Sequence, residues 1–142
     1  MIQTILFDFD GTLFDTGEGI LRSVQYALEG FGIHETDTAR LRKFVGPPLF
    51  DSFSELYAMT PEQAQAAVAR YRERYLPVGI YECTLYPGIP ELLEQLRAHG
   101  FRVAVATGKP TPMACSILQR FDLERLFDCV IGCEYDLSLI HI

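Results

Sequence analysis

The sequence predicts an α/β protein: a parallel sheet whose first strand is separated from the others by an all-helical insert. Three observations predict it. Short apolar, β-rich runs occupy residues 3–9, 101–106 and 128–132. Helical patterns precede the second run and join it to the third, so strands and helices alternate. Between the first and second runs, residues 16–80 carry only helical patterning. A chain of 142 residues is long enough for one domain carrying such an insert.

Residues 3–9 read as a buried strand, stopped by Asp10-Gly11. Residues 16–31 space Ile20, Val24, Ala27, Leu28 and Phe31 along one helical face. Residues 37–45 form a short helix ended by Gly46-Pro47-Pro48, and residues 49–57 repeat the pattern with Phe50, Phe53 and Tyr57. Thr60-Pro61-Glu62-Gln63 is a helix start: Thr60 as N-cap, Pro61 at the first position, Gln63 closing a capping box. That helix runs to Tyr75 and stops before Pro77. Residues 90–99 form a helix with Gly100 as its stop. The second strand, 101–106, is halted by Thr107-Gly108. Residues 110–121 are helical, with Pro112 near the first turn. The third strand covers 128–132. There is no internal repeat and no low-complexity tract.

Composition bounds the partners. Hydrophobic residues make up 49% and charged residues 22%, enough for a packed core. A net charge of −7 argues against nucleic acid and anionic membranes as partners. A small anionic substrate stays possible, because a metal ion and local amides override a global charge. No apolar stretch approaches the roughly 20 residues of a membrane span, and Met1-Ile2-Gln3-Thr4 lacks the basic start of a signal peptide. Cys83, Cys115, Cys129 and Cys133 form no CxxC pair, and no His stands at zinc-finger spacing. Reduced thiols and a cytoplasmic location are expected.

Asp8-Phe9-Asp10-Gly11-Thr12-Leu13 is the most informative stretch. An apolar run rarely ends in two carboxylates without a reason. A spacing of two puts both side chains on one face of extended backbone, at the strand end where open α/β sheets bind ligands. Two acids this close suit a nucleophile beside an acid/base partner. Gly11 lets the backbone turn sharply, and Thr12 offers a hydroxyl and an amide.

Residues 5–13, Ile5-Leu6-Phe7-Asp8-Phe9-Asp10-Gly11-Thr12-Leu13, resemble the first motif of the haloacid-dehalogenase-like hydrolases. Val103-Ala104-Val105-Ala106-Thr107-Gly108-Lys109-Pro110 is similar to their second motif. The helical insert resembles their C1 cap, and Tyr86-Pro87-Gly88-Ile89-Pro90-Glu91-Leu92-Leu93 the return from cap to core. Phe44-Val45-Gly46-Pro47-Pro48-Leu49 is similar to the cap of phosphoglycolate-phosphatase-like members. The resemblance covers residues 1 to about 136. It implies a Rossmann-like parallel core from 1–15 and 81–136, a helical cap at 16–80, and hinges near 14–17 and 79–86.

The resemblance also implies a chemistry. Asp8 attacks phosphorus and forms an aspartyl-phosphate. Asp10 protonates the leaving oxygen and then activates water. Mg²⁺ sits on the Asp8 carboxylate and the Asp10 backbone carbonyl, offsetting charge repulsion. Thr107 holds a phosphoryl oxygen with the Gly108 amide close by, and Gly11, Thr12 and Lys109 complete the phosphate site. The implied substrate is a small phosphorylated metabolite, with phosphoglycolate-phosphatase-like activity leading. A 5'-nucleotidase or a pyrophosphatase of the same superfamily is the alternative. A sugar-phosphate mutase is disfavoured, because Val45, Pro47 and Leu49 rather than basic residues flank Gly46. A phospho-acceptor signalling domain is disfavoured by the helical insert and by Asp8 standing so near the N-terminus.

Two features depart from the family pattern. That pattern continues with a downstream lysine and a further acidic motif for the metal. Here no lysine follows Lys109 and no carboxylate side chain follows Asp136. Residues 137–142, Leu-Ser-Leu-Ile-His-Ile, resemble a translated sequencing-adapter end and are expected to be a non-native tail. The chain is then expected to be truncated, with its third strand a bare edge exposing Val130 and Ile131. A non-catalytic fragment is the corresponding alternative. Lys43 and Lys109 are the two lysines of the sequence. Lys109 either approaches the site or is solvated at a helix start. Arg42 and Lys43 either face a substrate or lie on a solvated helix face.

Overall fold

A computed structural model describes residues 1–133, and the chain divides into two units by contact. Met1–Asp15 and the described residues from Thr84 onward form one; Thr16–Cys83 form the other.

The first unit is built on a parallel sheet of β1 (Thr4–Phe7), β4 (Arg102–Pro110) and β5 (Cys129–Cys133), in that spatial order. Ile5 pairs with Val103, Phe7 with Val105, and Val105 with Val130, so these side chains share one face. The strands step across the sheet in one direction. Right-handed crossovers therefore put α5 (Ile89–Ala98) and α6 (Thr111–Arg120) on the same face. Val103, Val105, Leu93, Ala114, Ile117 and Leu118 are buried there. The opposite face carries Leu6, Ala106, Cys129 and Ile131; Leu6 is 63% exposed and Ile131 60%. Of the two residues expected bare on the third strand, only Ile131 is. Val130 is half-buried, because alternation turns it toward the helices.

The strand limits also differ from expectation. β1 ends at Phe7 rather than residue 9, because the backbone turns at the acidic pair. β4 does not stop at Thr107-Gly108 but continues to Pro110 after a register shift. A second, two-stranded antiparallel ladder joins β2 (Phe14–Asp15) to β3 (Thr84–Leu85). Two-residue strands have no readable period, so the sequence did not betray them.

The second unit holds α1 (Gly17–Glu29), α2 (Thr38–Arg42), α3 (Leu49–Tyr57) and α4 (Pro61–Tyr75). α1 buries Ile20, Val24, Ala27 and Leu28 as its spacing predicts. α4 buries Ala64 and Ala67, small residues that permit close packing. The capping box at Thr60 and Gln63 is present. Asp37 caps α2 by accepting from the Ala39 and Arg40 amides. Residues 43–45 leave the α-helix and close in tighter turns, Lys43 N–H to Arg40 and Phe44 N–H to Leu41 carbonyls, so this helix is shorter than expected.

The segment Gly79–Tyr81 is a 3-10 turn held against α1. A side chain on Gly19 would collide with the Gly79 carbonyl. Glu82 is gripped by Arg74 and Arg22, each at 2.7 Å, and its carbonyl accepts the Gly19 amide at 3.1 Å. Residues 79–82 are thus docked on the helical unit, and the boundary between the units falls after Cys83, inside the 79–86 stretch expected to be a hinge. All four cysteines are free thiols, and burial pushes the Cys115 thiol pKa up, with the Glu124 charge adding to it. Among the described residues no helix is long and apolar enough to cross a membrane.

Candidate functional site

The carboxyl ends of β1 and β4 lie side by side, since Phe7 pairs with Val105 in parallel. Asp8 follows immediately on β1 and is exposed. One of its oxygens, Oδ1, accepts the Phe9 amide at 2.8 Å, which orients the carboxylate. The chain then turns around the Phe9 carbonyl, which accepts the amides of Thr12, Leu13 and Phe14 at 3.3, 3.0 and 3.3 Å. Gly11 takes φ +80°, a left-handed conformation that glycine adopts without strain, and donates its amide to the Phe14 carbonyl at 2.8 Å. Phe9, Leu13 and Phe14 are fully buried, and Phe9 stacks on Phe14 at 4.9 Å. The acidic turn is therefore anchored by its apolar residues. The Gly11 and Thr12 amides bond within the turn, to the Phe14 and Phe9 carbonyls.

Lys109 belongs to β4, not to a helix start. Its ammonium lies 3.4 Å from Asp10 Oδ1, with the lysine side chain 7% and the aspartate side chain 29% exposed. The same ammonium stands 5.9 Å from the centre of the Phe9 ring, within cation–π reach. A lysine buried this deeply requires an opposite charge nearby, and Asp10 provides one. Of the two alternatives for Lys109, the structure gives the approach to the acidic pair.

Thr107 is half-buried beside it, and its Oγ1 accepts the Lys109 amide at 3.1 Å. The hydroxyl hydrogen is then left to point elsewhere, as a phosphoryl ligand requires. Gly108 is exposed, with open space around its Cα. Asp10, Lys109 and Thr107 are thus linked by short contacts, whereas Asp8 joins them through the shared turn. Arg42 and Lys43 belong to the helical unit, where both are exposed.

Asp8 and Asp10 supply oxygen donors, the hard type that Mg²⁺ takes, and Mg²⁺ commonly binds through one or two carboxylates with water and phosphate filling the rest. Among the described residues no group of three acidic, His or Cys side chains converges. The donor chemistry fits Mg²⁺ with few protein ligands. The non-native tail expected at 137–142, and the acid Asp136, lie outside the described residues.

The chain is similar to known proteins over nearly its whole length. The family model described as haloacid dehalogenase-like hydrolase matches residues 5–136. A 5'-nucleotidase of Pseudomonas aeruginosa is 47% identical over 137 residues, covering 96% of this chain and 62% of its own length. The tyrosine-protein kinase PtkA of Mycobacterium tuberculosis is 38% identical, covering 94% of this chain and 45% of its own. A phosphoglycolate phosphatase of Aquifex aeolicus is 30% identical, covering 92% and 61%. Among solved structures, a predicted phosphatase of Clostridium acetobutylicum superposes with a TM-score of 0.86 at 43% identity, covering 94% of this chain and 62% of that one. The chain spans at most about three fifths of the length of these curated relatives.

Proposed function

The chain belongs to the haloacid dehalogenase-like hydrolases, and from that premise we propose that it carries the nucleophilic half of a Mg²⁺-dependent phosphomonoester hydrolase. The observation that supports this most is the buried Lys109 set on Asp10, one turn from Asp8 at the carboxyl edge of the sheet.

In this reading the Asp8 carboxylate attacks the phosphorus of a small phosphorylated metabolite. The bond to the leaving oxygen breaks, and Asp10 gives that oxygen a proton. Asp10 then takes a proton from water, which attacks the aspartyl-phosphate and restores Asp8. Lys109 and the Thr107 hydroxyl hold phosphoryl oxygens, with the Gly108 amide and the Thr12 hydroxyl beside them. Lys109 takes the charge-balancing role that the family pattern gives to a lysine further downstream. The Asp8 carboxylate and the Asp10 backbone carbonyl would hold Mg²⁺, which would supply positive charge against the dianionic substrate. The helical unit, Thr16–Cys83, acts as a cap domain and the sheet unit as the core, in a cytoplasmic protein.

Phosphoglycolate-type monoesters lead as substrates because the 44–49 stretch resembles that branch. A nucleoside 5'-monophosphate is the second reading, favoured by the 47% identity to a 5'-nucleotidase. The test is phosphate release from phosphoglycolate, nucleoside 5'-monophosphates and pyrophosphate, with and without Mg²⁺. It compares the chain alone with the chain fused after Asp136 to the remaining part of the Pseudomonas relative. Mg²⁺-dependent release is expected from the fusion, with the chain alone as the reference. No release by a folded fusion from any of these substrates would overturn the reading.

A further inference from the structure

We propose that Gly132 and Thr111 are positioning residues that seat the end of β4 on β5 and thereby keep the Lys109 ammonium buried against Asp10. Its weight for catalysis rests on the phosphatase reading; the positioning itself does not.

β4 pairs Ala106 with Ile131 and next Pro110 with Cys133. Four steps along β4 (106 to 110) thus face two along β5 (131 to 133). The two surplus residues make an irregularity of the kind that re-aims side chains beside functional sites. Thr107, Gly108 and Lys109 lie inside it. Gly132 is the one residue of β5 between the two pairs.

At Gly132 the backbones meet at a distance that excludes a side chain. A Cβ there would fall inside contact distance of the Lys109 carbonyl oxygen, 2.7 Å from the Thr111 nitrogen and 2.9 Å from Thr111 Oγ1. The first two are backbone atoms, which cannot rotate aside. The Gly132 amide also donates to Thr111 Oγ1 at 3.0 Å. From the other side, the Lys109 amide donates to Thr107 Oγ1. Lys109 is therefore pinned at its carbonyl by the close approach of Gly132 and at its amide by Thr107. Thr111 bonds the irregularity to the neighbouring strand. A lysine has a flexible stem with four carbons. Holding its head at 3.4 Å from one carboxylate oxygen requires that its backbone not shift.

The sequence supplies a direct readout, because its two lysines report opposite environments: Lys43 is exposed and the Lys109 side chain is 7% exposed. Amine acylation of the 142-residue chain, followed residue by residue by mass spectrometry, measures both rates. In the unsubstituted protein Lys109 should react about tenfold or more slowly than Lys43, since reaction requires local opening. Thr111→Val keeps the shape and removes the acceptor; it should speed Lys109 several-fold and leave Lys43 unchanged. Thr111→Ser retains the hydroxyl and should keep Lys109 protected. Gly132→Ala should speed Lys109 with its circular dichroism retained; if that variant does not fold, the Val and Ser pair decides. Equal protection of Lys109 in Thr111→Val and the parent would overturn the proposal. So would equal exposure in Thr111→Ser and Thr111→Val. An inactive fusion enzyme with this labelling pattern intact would refute the phosphatase reading alone.

Discussion

The turn that ends the first strand at residues 8–12 was legible because its acids and glycine stand together in the chain. Lys109 was only half legible, since the sequence left it either approaching the site or solvated at a helix start. It reaches Asp10 only because β4 runs past Thr107 and shifts register, which depends on where β5 lies. The same holds for Gly132, whose need for glycine is created by a neighbouring strand rather than by its own φ. The Asp10–Lys109 contact carries a double consequence. Asp10→Asn should cut turnover of the fused enzyme by orders of magnitude, as loss of an acid/base group does. It also removes a negative charge 3.4 Å from a largely buried ammonium. Leaving a buried pair half-made costs about 3–5 kcal/mol at full burial. With Asp10 29% exposed, about 1–3 kcal/mol is expected. Adding Lys109→Met to Asp10→Asn should restore stability in urea titration without restoring activity. Equal stability of Asp10→Asn and the parent would show that the pair bears no structural charge.

At the level of elements, the helices were the most readable feature because caps and apolar spacing are local. The box at Thr60 and Gln63 is the clearest instance, and Thr60→Ala should lower the stability of the helical unit by about 1 kcal/mol. What no local pattern could show is contact between elements. Gly19 looks like an indifferent residue in the first helix, yet the 79–81 turn packs directly on it. Gly19→Ala should therefore destabilise by about 1–3 kcal/mol, the range of overpacking, despite alanine's better helix propensity. Thermal melts of both variants check this; a Gly19→Ala protein as stable as the parent would mean that the turn is not held there. The strands were located correctly, but their ends were misjudged. Turn residues at Thr107-Gly108 gave a stop signal that pairing with β5 overrides.

Across the whole molecule, each unit carries a carboxylate clamp of its own. Two arginines, Arg74 foremost and then Arg22, hold Glu82 below its ordinary pKa of 4.5 against the effect of burial. In the sheet unit, Asp128 accepts the Val103 amide at 2.8 Å and Arg97 at 3.0 Å. The amide first and then the arginine hold it below its ordinary 3.8. A lowered folded pKa means that the unfolded chain takes up the proton first as pH falls. The stabilisation is thus complete above the ordinary carboxylate pKa and is lost as pH drops through the folded value. The melting temperature should fall below about pH 4.5, and more gently in Glu82→Gln, whose clamp is already broken. A Glu82→Gln profile parallel to that of the parent would contradict the clamp. The division of the chain into a sheet unit and a helical unit was foreshadowed by the switch from strand to helix patterning near residue 16 and back after 80. The β2–β3 ladder, which belongs wholly to the sheet unit, was not. In the proposed reaction the Asp8 carboxylate is the nucleophile that becomes phosphorylated. The most direct measurement incubates the fused enzyme with a phosphate ester labelled on phosphorus, quenches it in acid, and locates the label by peptide mass spectrometry. Label on the peptide carrying Asp8, lost in Asp8→Asn together with turnover, is the expected result; near-normal turnover by Asp8→Asn would contradict the claim outright.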